Sequence, residues 1–275
     1  MCDLHGCGIQ TQLAPIKLDS TQRRLFLQGL ACLPLATVLA YPELAKAAAA
    51  STEEVSISLE MDTKVQASLA LPAAEKAPAV ILIHEWWGLN DQIKAVAAEL
   101  ANLGYVALAV DLYGGKVAST PDEAKALMGD LDPEIAKETM VGWVDYLKKH
   151  PRVNGKVATL GWCFGGGWSL NTSIATPVDA TIIYYGNVTK TANDLKALNG
   201  PVLGQFGKLD KSINQEMVSG FEQEMDKAGK KDRLTVYWYD ADHAFANPTG
   251  ARYDEANAKL AWERTLEFLK THLGT

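Results

Sequence analysis

A cysteine flanked by glycines stands in the stretch GWCFGGG, which directly follows the apolar run KVATL. Gly161 and Gly165 lie two residues before and two residues after Cys163. This spacing is typical of a sharp strand-to-helix turn that exposes a nucleophile. A helix that begins at such a turn directs its positive end at the sulfur and favours a thiolate. The stretch therefore predicts a nucleophilic thiol, with a small buried side chain as the alternative.

A nucleophile at this kind of turn is followed along the chain by an acid and then by a histidine. His243 lies in DADHAF, directly after the apolar run LTVYWYD, whereas His272 lies near the C-terminus. Asp210 ends the stretch PVLGQFGKLD, and we predict that it orients the histidine. The alternatives are Asp240 and Asp242, which stand close to the histidine in the same loop. The sequence thus predicts a thiol–imidazole–carboxylate unit.

The stretch HEWWGLN follows the apolar run AVILI, at a loop that supplies a backbone donor to an oxyanion in folds with this turn. We expect the N–H groups of Trp86 and Phe164 to form the oxyanion hole. Glu85 is a carboxylate that could hold the thiol proton or oppose the thiolate by like charge. His84 is interpreted as structural, binding backbone groups of its loop.

Short apolar runs alternate with helical patterns from Ser51 onward. Runs such as AVILI and VALAV lack polar alternation, as strands buried on both faces do. The pattern predicts the α/β class, as a single domain with a mostly parallel central sheet and helices on both faces. The predicted strands are VSISLEM, VQASLAL, APAVILIHE, YVALAVDLY, KVATLGW, ATIIYYG, PVLGQFG and LTVYWYD, and the predicted helices lie near 91–103, 121–129, 133–150, 166–175, 213–229 and 254–271.

The composition excludes several classes of partner. The chain has 275 residues, of which 48% are hydrophobic and 21% charged, as expected of one domain with a full core. A net charge of −7 provides no basic surface for nucleic acid or anionic lipid. We therefore expect a small-molecule substrate, no nucleic acid, and a monomer or small homo-oligomer.

The first fifty residues carry a different pattern. Arg23 and Arg24 precede the apolar stretch LACLPLATVLA, which is followed by LAKAAAA. This order is typical of a signal peptide, and the paired arginines resemble a twin-arginine signal. We expect residues 1–50 to be removed, residues 51–275 to form the domain, and the protein to be exported to the periplasm without stable membrane insertion. A membrane anchor is the alternative, although Pro34 interrupts a short apolar run.

Cleavage would also remove three of the four cysteines. Cys2, Cys7 and Cys32 lie in the expected signal segment, which leaves Cys163 alone in the mature chain. A single thiol forms no internal disulfide and no multi-thiolate zinc or iron–sulfur site. We therefore expect no metal and no organic cofactor.

Six motifs together resemble one known family. HEWWGLN, DLYGG, GWCFGGG, YYG, GKLD and DHAFANP, in this order, look like the dienelactone hydrolase (carboxymethylenebutenolidase) family of α/β-hydrolases, over residues 53–272. The resemblance implies a triad of Cys163, His243 and Asp210 that cleaves a lactone or small ester through a thiol-ester intermediate. It further implies that Glu85 contacts the resting thiol and helps to activate it once substrate binds.

The resemblance also implies a substrate pocket lined by Tyr184 or Tyr185, and we expect aromatic side chains such as Trp87 to border it as well. Members of the family hold a substrate carboxylate with two arginines, but this chain has Lys116 after Gly-Gly at one position and Asn247 at the other. We therefore expect a neutral substrate. A thioesterase or peptidase-like acyl hydrolase is the alternative, and a non-enzymatic reactive-thiol binding or sensing protein is disfavoured because it needs no Asp–His pair.

Overall fold

The central element is an eight-stranded sheet in a computed structural model that describes residues 33–59 and 63–274. The strand order is β1-β2-β4-β3-β5-β6-β7-β8. β1 and β2 pair antiparallel at one edge, β2 pairs antiparallel with β4, and the remaining pairs are parallel. The predicted α/β class with a mostly parallel sheet is confirmed. The strands are β1 Glu53–Ser58, β2 Lys64–Ala70, β3 Ala77–Ile83, β4 Val106–Val110, β5 Val153–Trp162, β6 Ala180–Tyr184, β7 Val202–Gly207 and β8 Leu234–Tyr239.

Helices connect the strands and begin at side chains that accept hydrogen bonds from the first turn. Asn90, Thr120, Asp132, Asn214 and Asp254 each accept a backbone N–H two or three residues later. Such caps satisfy amides that have no partner within the helix. The helices are α1 Leu35–Ala40, α2 Pro42–Ala49, α3 Asp91–Asn102, α4 Pro121–Asp130, α5 Pro133–Lys149, α6 Phe164–Ala175, α7 Ala192–Leu195, α8 Gln215–Lys227 and α9 Glu255–Leu273, with a 3₁₀ turn at Lys231–Arg233.

The core lies on both faces of the sheet, which explains the apolar runs without alternation. Every residue of β3 and β4 is buried. Val80 and Leu82 of β3 face the cluster that contains α3 and α9, whereas Ile81 and Ile83 face the cluster that contains α5. Helices thus cover both faces, and the carboxyl ends of the parallel strands meet at one edge, where α/β proteins bind ligands.

The N-terminal region contains two helices that the sequence analysis did not predict. α1 and α2 contact α3, and Val38, Leu39, Ala45 and Ala48 are buried in the same apolar cluster. Gln92 Nε2 donates a 3.0 Å hydrogen bond to the Leu39 carbonyl. Amphipathic contact of this kind stabilises a short helix that would not persist alone. Residues 33–50 therefore contact the domain in this full chain.

The rest of the expected signal segment, including its paired arginines, lies outside the described residues. Its removal and the export of the protein stay predictions. Among the described residues, no helix has both the length and the apolar character needed to span a membrane.

Candidate active site

Cys163 occupies a strained turn between β5 and α6. Its backbone has φ 54° and ψ −115°, a region that side chains with a Cβ rarely adopt. A Cβ at Gly161 would lie 2.0 Å from the Gly165 carbonyl oxygen, and one at Gly165 would lie 2.1 Å from the Ile83 carbonyl oxygen. Both flanking glycines are required because neighbouring backbone fills the space of a side chain. The predicted strand-to-helix turn is confirmed.

The structure joins Cys163, His243 and Asp210 in one hydrogen-bonded chain. His243 Nε2 lies 3.1 Å from Cys163 Sγ, and His243 Nδ1 lies 2.7 Å from Asp210 Oδ2. Asp210 follows β7 and His243 follows the adjacent β8, so the two loops leave the same edge of the sheet. The side chains are brought together as the sequence predicts.

Asp210 is a better partner for the imidazole than the two acids in the same loop as the histidine. Its second oxygen, Oδ1, accepts the Ser212 and Ile213 N–H groups at 2.8 and 2.9 Å, which fixes the carboxylate. Asp242 accepts the backbone N–H of His243 instead of its ring. Asp240 is exposed. The imidazole therefore bonds the carboxylate at the end of the neighbouring strand.

The charges of His243 and Asp210 stabilise each other. Burial lowers the pKa of His243, but its hydrogen bonds to Asp210 and Cys163 outweigh burial and raise this pKa to about 10. Burial raises the pKa of Asp210, but the bonds from His243 and from two backbone amides bring this pKa below its usual value. At neutral pH the pair is thus an imidazolium and a carboxylate, and the positive ring lies 3.1 Å from the Cys163 sulfur.

His84 has the structural position that the sequence analysis expects. Its ring is buried, Nδ1 donates to the Glu85 carbonyl oxygen at 2.5 Å, and Nε2 accepts the Leu112 N–H at 3.3 Å. Burial lowers the pKa of His84 to about 4, so the ring is neutral at physiological pH. His84 therefore ties the loop after β3 to the loop after β4.

Glu85 is buried but bonds two side chains other than the thiol. Its Oε2 accepts the Asn247 amide at 2.6 Å, and its Oε1 accepts the Tyr185 hydroxyl at 3.5 Å. Burial raises the pKa of Glu85, and the Asn247 bond opposes this rise. The contact with Cys163 that the resemblance implies is not among its hydrogen bonds. The carboxylate accepts a hydrogen bond from the neutral amide of Asn247 instead.

The two backbone groups expected to bind an oxyanion have no protein acceptor among the described residues. Neither the Trp86 N–H nor the Phe164 N–H bonds a carbonyl or side chain in the described part of the chain. Phe164 is the first residue of α6, where a helix leaves its N–H groups unpaired. Both donors are therefore available to a ligand.

The residues expected to line a pocket fall into two groups. Tyr184, Tyr185 and Asn247 border a cavity of about 520 Å³. Trp87 and Lys116 do not border this cavity, and their place in a substrate pocket stays a prediction. The Trp87 ring lies edge-on to Trp86, and Lys116 is exposed on the loop after β4. Loop conformation, which separates these residues from the cavity, is not encoded in their spacing along the chain.

Tyr113 is a neighbour of the site that the sequence analysis did not single out. Its ring centroid lies 4.8 Å from that of His84 and 5.6 Å from that of Phe164. The buried hydroxyl has no hydrogen-bond partner within the described residues. The sequence feature that could have identified Tyr113 as a neighbour of the site is its place in DLYGG, at the carboxyl end of β4. Within the same residues, no group of three His, Cys, Asp or Glu side chains is arranged to hold a metal ion.

Comparisons with known proteins identify the family of this chain. Residues 65–273 match the dienelactone hydrolase family. Carboxymethylenebutenolidase 1 of Cupriavidus pinatubonensis is 27% identical over 228 residues, covering 79% of this chain and 96% of that protein. "Protein usf" of Aquifex pyrophilus is 33% identical over 220 residues, covering 76% and 94%. A solved dienelactone hydrolase-like promiscuous phosphotriesterase from metagenomic libraries shares the fold, with a TM-score of 0.71 at 24% identity, covering 82% of this chain and 100% of that one. The chain thus belongs to the dienelactone hydrolase family, and it is a hydrolase.

Proposed function

We propose that this protein hydrolyses a lactone or small carboxylic ester with Cys163 as the nucleophile. The observation that carries this proposal is the unbroken hydrogen-bonded chain from the sulfur through His243 to Asp210. A binding or sensing thiol needs no such aligned pair. The order of groups is that of a nucleophile, its general acid–base and the residue that orients it.

The reaction has two halves. The Cys163 thiolate attacks the acyl carbon. The oxyanion that forms accepts hydrogen bonds from the backbone N–H groups of Trp86 and Phe164. His243 then gives its proton to the leaving alkoxide as the C–O bond breaks, which leaves an acyl group on sulfur. Water attacks this thioester while His243 takes its proton, and collapse of the intermediate breaks the C–S bond. The carboxylic acid product leaves, and the thiolate–imidazolium pair is restored.

The direct experiment compares hydrolysis of p-nitrophenyl acetate and of a neutral lactone by wild type and by Cys163→Ala. Loss of the nucleophile should reduce kcat by several orders of magnitude, because the imidazole and the carboxylate act on the substrate only through the thiol. Asp240→Asn serves as the control, since this exposed acid bonds no group of the unit. Activity of Cys163→Ala within tenfold of wild type would exclude the thiol as nucleophile.

We also propose export through the twin-arginine route, which is supported by Arg23 and Arg24 ahead of an apolar stretch. Replacement of both arginines with lysine should leave the precursor in the cytoplasm, because a receptor reads the paired guanidiniums. Fractionation of cells that express each form measures the outcome. Unchanged export of the double variant would contradict the route.

A further inference from the structure

The cavity beside the candidate active site is enclosed mainly by apolar side chains. It has a volume of about 520 Å³ and lies between α1, α3 and α9. Cavities of this size and character are the usual binding places of small organic molecules. The apolar wall is formed by Leu35, Leu39, Ile93, Val96, Trp262 and Leu266.

The inner end of the cavity is polar and borders the candidate active site. Glu85, Asn247 and Tyr185 line this end, and Asn247 and Tyr185 each donate a hydrogen bond to the Glu85 carboxylate. The Tyr185 ring centroid lies 5.2 Å from that of His243, so one side chain separates the cavity from the imidazole. Neither Cys163 nor His243 lines the cavity. The cavity is thus a separate space that shares a wall with the site.

The charges around the cavity disfavour an anionic ligand. Glu99, Glu255 and Glu263 line it, with Lys259 as the basic residue among the lining side chains. Glu85 adds a carboxyl group at the closed end, where burial makes its charged form costly. A second carboxylate placed there would face Glu85 and the three glutamates that line the cavity, and like charges at close range repel each other.

We propose that this cavity binds a neutral, largely apolar small molecule, with one hydrogen-bonding group directed at Glu85 and Asn247. An alkyl chain or a pair of fused rings fills the space between α1, α3 and α9. The site is distinct from the position of the acyl group at Cys163, and its occupancy is independent of hydrolysis. The wall from α1 belongs to the segment expected to be removed, so the complete site requires the full chain.

The test measures binding of neutral N-phenyl-1-naphthylamine, whose fluorescence rises in apolar surroundings, to the full chain. Ala258 lines the cavity on α9, whereas Ala256 is exposed on the same helix and does not. Ala258→Trp should fill the space and weaken binding by about tenfold or more, while Ala256→Trp should leave binding unchanged. Ala36→Trp fills the cavity from α1 and provides a second variant if Ala258→Trp fails to fold.

Competition defines the class of ligand. 1-Decanol should displace the probe at lower concentration than decanoate, since the two share a chain length and differ in charge. In Glu85→Gln the displacing concentrations of 1-decanol and decanoate should lie closer together, because this variant lacks the carboxyl group at the polar end of the cavity. Absence of probe binding, equal binding by Ala258→Trp and Ala256→Trp, or equal displacement by decanoate would each overturn the proposal.

Discussion

Asn247 donates a 2.6 Å hydrogen bond to the Glu85 carboxylate, whose other hydrogen-bond donor is the Tyr185 hydroxyl and not the Cys163 thiol. The sulfur bonds His243 instead, so the thiol–imidazole contact and the glutamate–asparagine contact exist side by side. In relatives that bind a substrate carboxylate, the resemblance places an arginine at the Asn247 position. In this chain the neighbour of the buried glutamate is the neutral amide of Asn247.

Asn247→Ala should destabilise the protein by about 1–3 kcal/mol, because the buried carboxyl group loses its best donor. The Asn247 bond opposes the rise in the pKa of Glu85, so its loss raises this pKa further. A group whose folded pKa lies above its unfolded value costs stability as it ionises at higher pH. The loss should therefore be larger at about pH 7 than at about pH 4, as measured by urea unfolding.

Asn199→Ala is the matched control, since this exposed amide donates only to the nearby Ala197 carbonyl. An equal loss for both variants, or a loss at Asn247 that does not depend on pH, would show that the Glu85 contact contributes nothing specific.

Asp210→Asn should reduce turnover by about 10³–10⁴, because an amide no longer selects the imidazole tautomer that serves as base. Asp240→Asn should leave turnover nearly unchanged. Ester hydrolysis at neutral pH measures both. The reverse ranking would assign the orienting role to the loop acid.

The Asp210–His243 pair should stabilise the fold in a definite pH range. The pKa of His243 is raised from 6.5 to about 10, so its contribution is complete below pH 6.5 and is lost as pH rises through about 10. The difference in unfolding free energy between wild type and His243→Gln should shrink over this range. His272→Gln is the control, because burial and Lys156 lower the pKa of His272. A His243 difference that grows with pH would contradict the charged pair.

The protein should prefer a neutral lactone or ester to a matched substrate that bears a carboxylate. A bidentate arginine contact contributes about 1.5–3 kcal/mol, and neither Lys116 nor Asn247 provides one. The ratio of kcat/KM for the matched pair should therefore favour the neutral member by about tenfold or more. A preference for the charged member would identify another cation, with Arg252, whose charge acts on Glu85, as the first to mutate.

Much of the fold could be predicted because its signals are local. The eight strands are visible as apolar runs, and the turn at Cys163 is visible from its two flanking glycines. A side chain at Gly161 would collide with the backbone of Gly165, and one at Gly165 would collide with the backbone of Ile83. The pairing of Asp210 with His243 followed from the order of strands, since both residues end adjacent parallel strands.

Other features depend on long-range contacts that spacing does not encode. Glu85 and Asn247 are 162 residues apart, and only the folded loops show that they bond each other. α1 lies in a segment with a signal-like pattern, and its apolar side chains gave no indication of the α3 surface that they cover. The same apolar pattern fits a signal peptide and a helix that packs on the domain, so composition alone could not distinguish the two.

We propose that Cys163 carries the acyl group between the two halves of the reaction. Intact-mass spectrometry after rapid mixing with p-nitrophenyl acetate measures this most directly, in His243→Gln as well as wild type, because loss of the base should slow the release of the acyl group. We predict a single acetyl addition that peptide mapping assigns to Cys163 and that is absent from Cys163→Ala. Hydrolysis without any adduct on Cys163, or an equal adduct on Cys163→Ala, would show that Cys163 does not carry the acyl group.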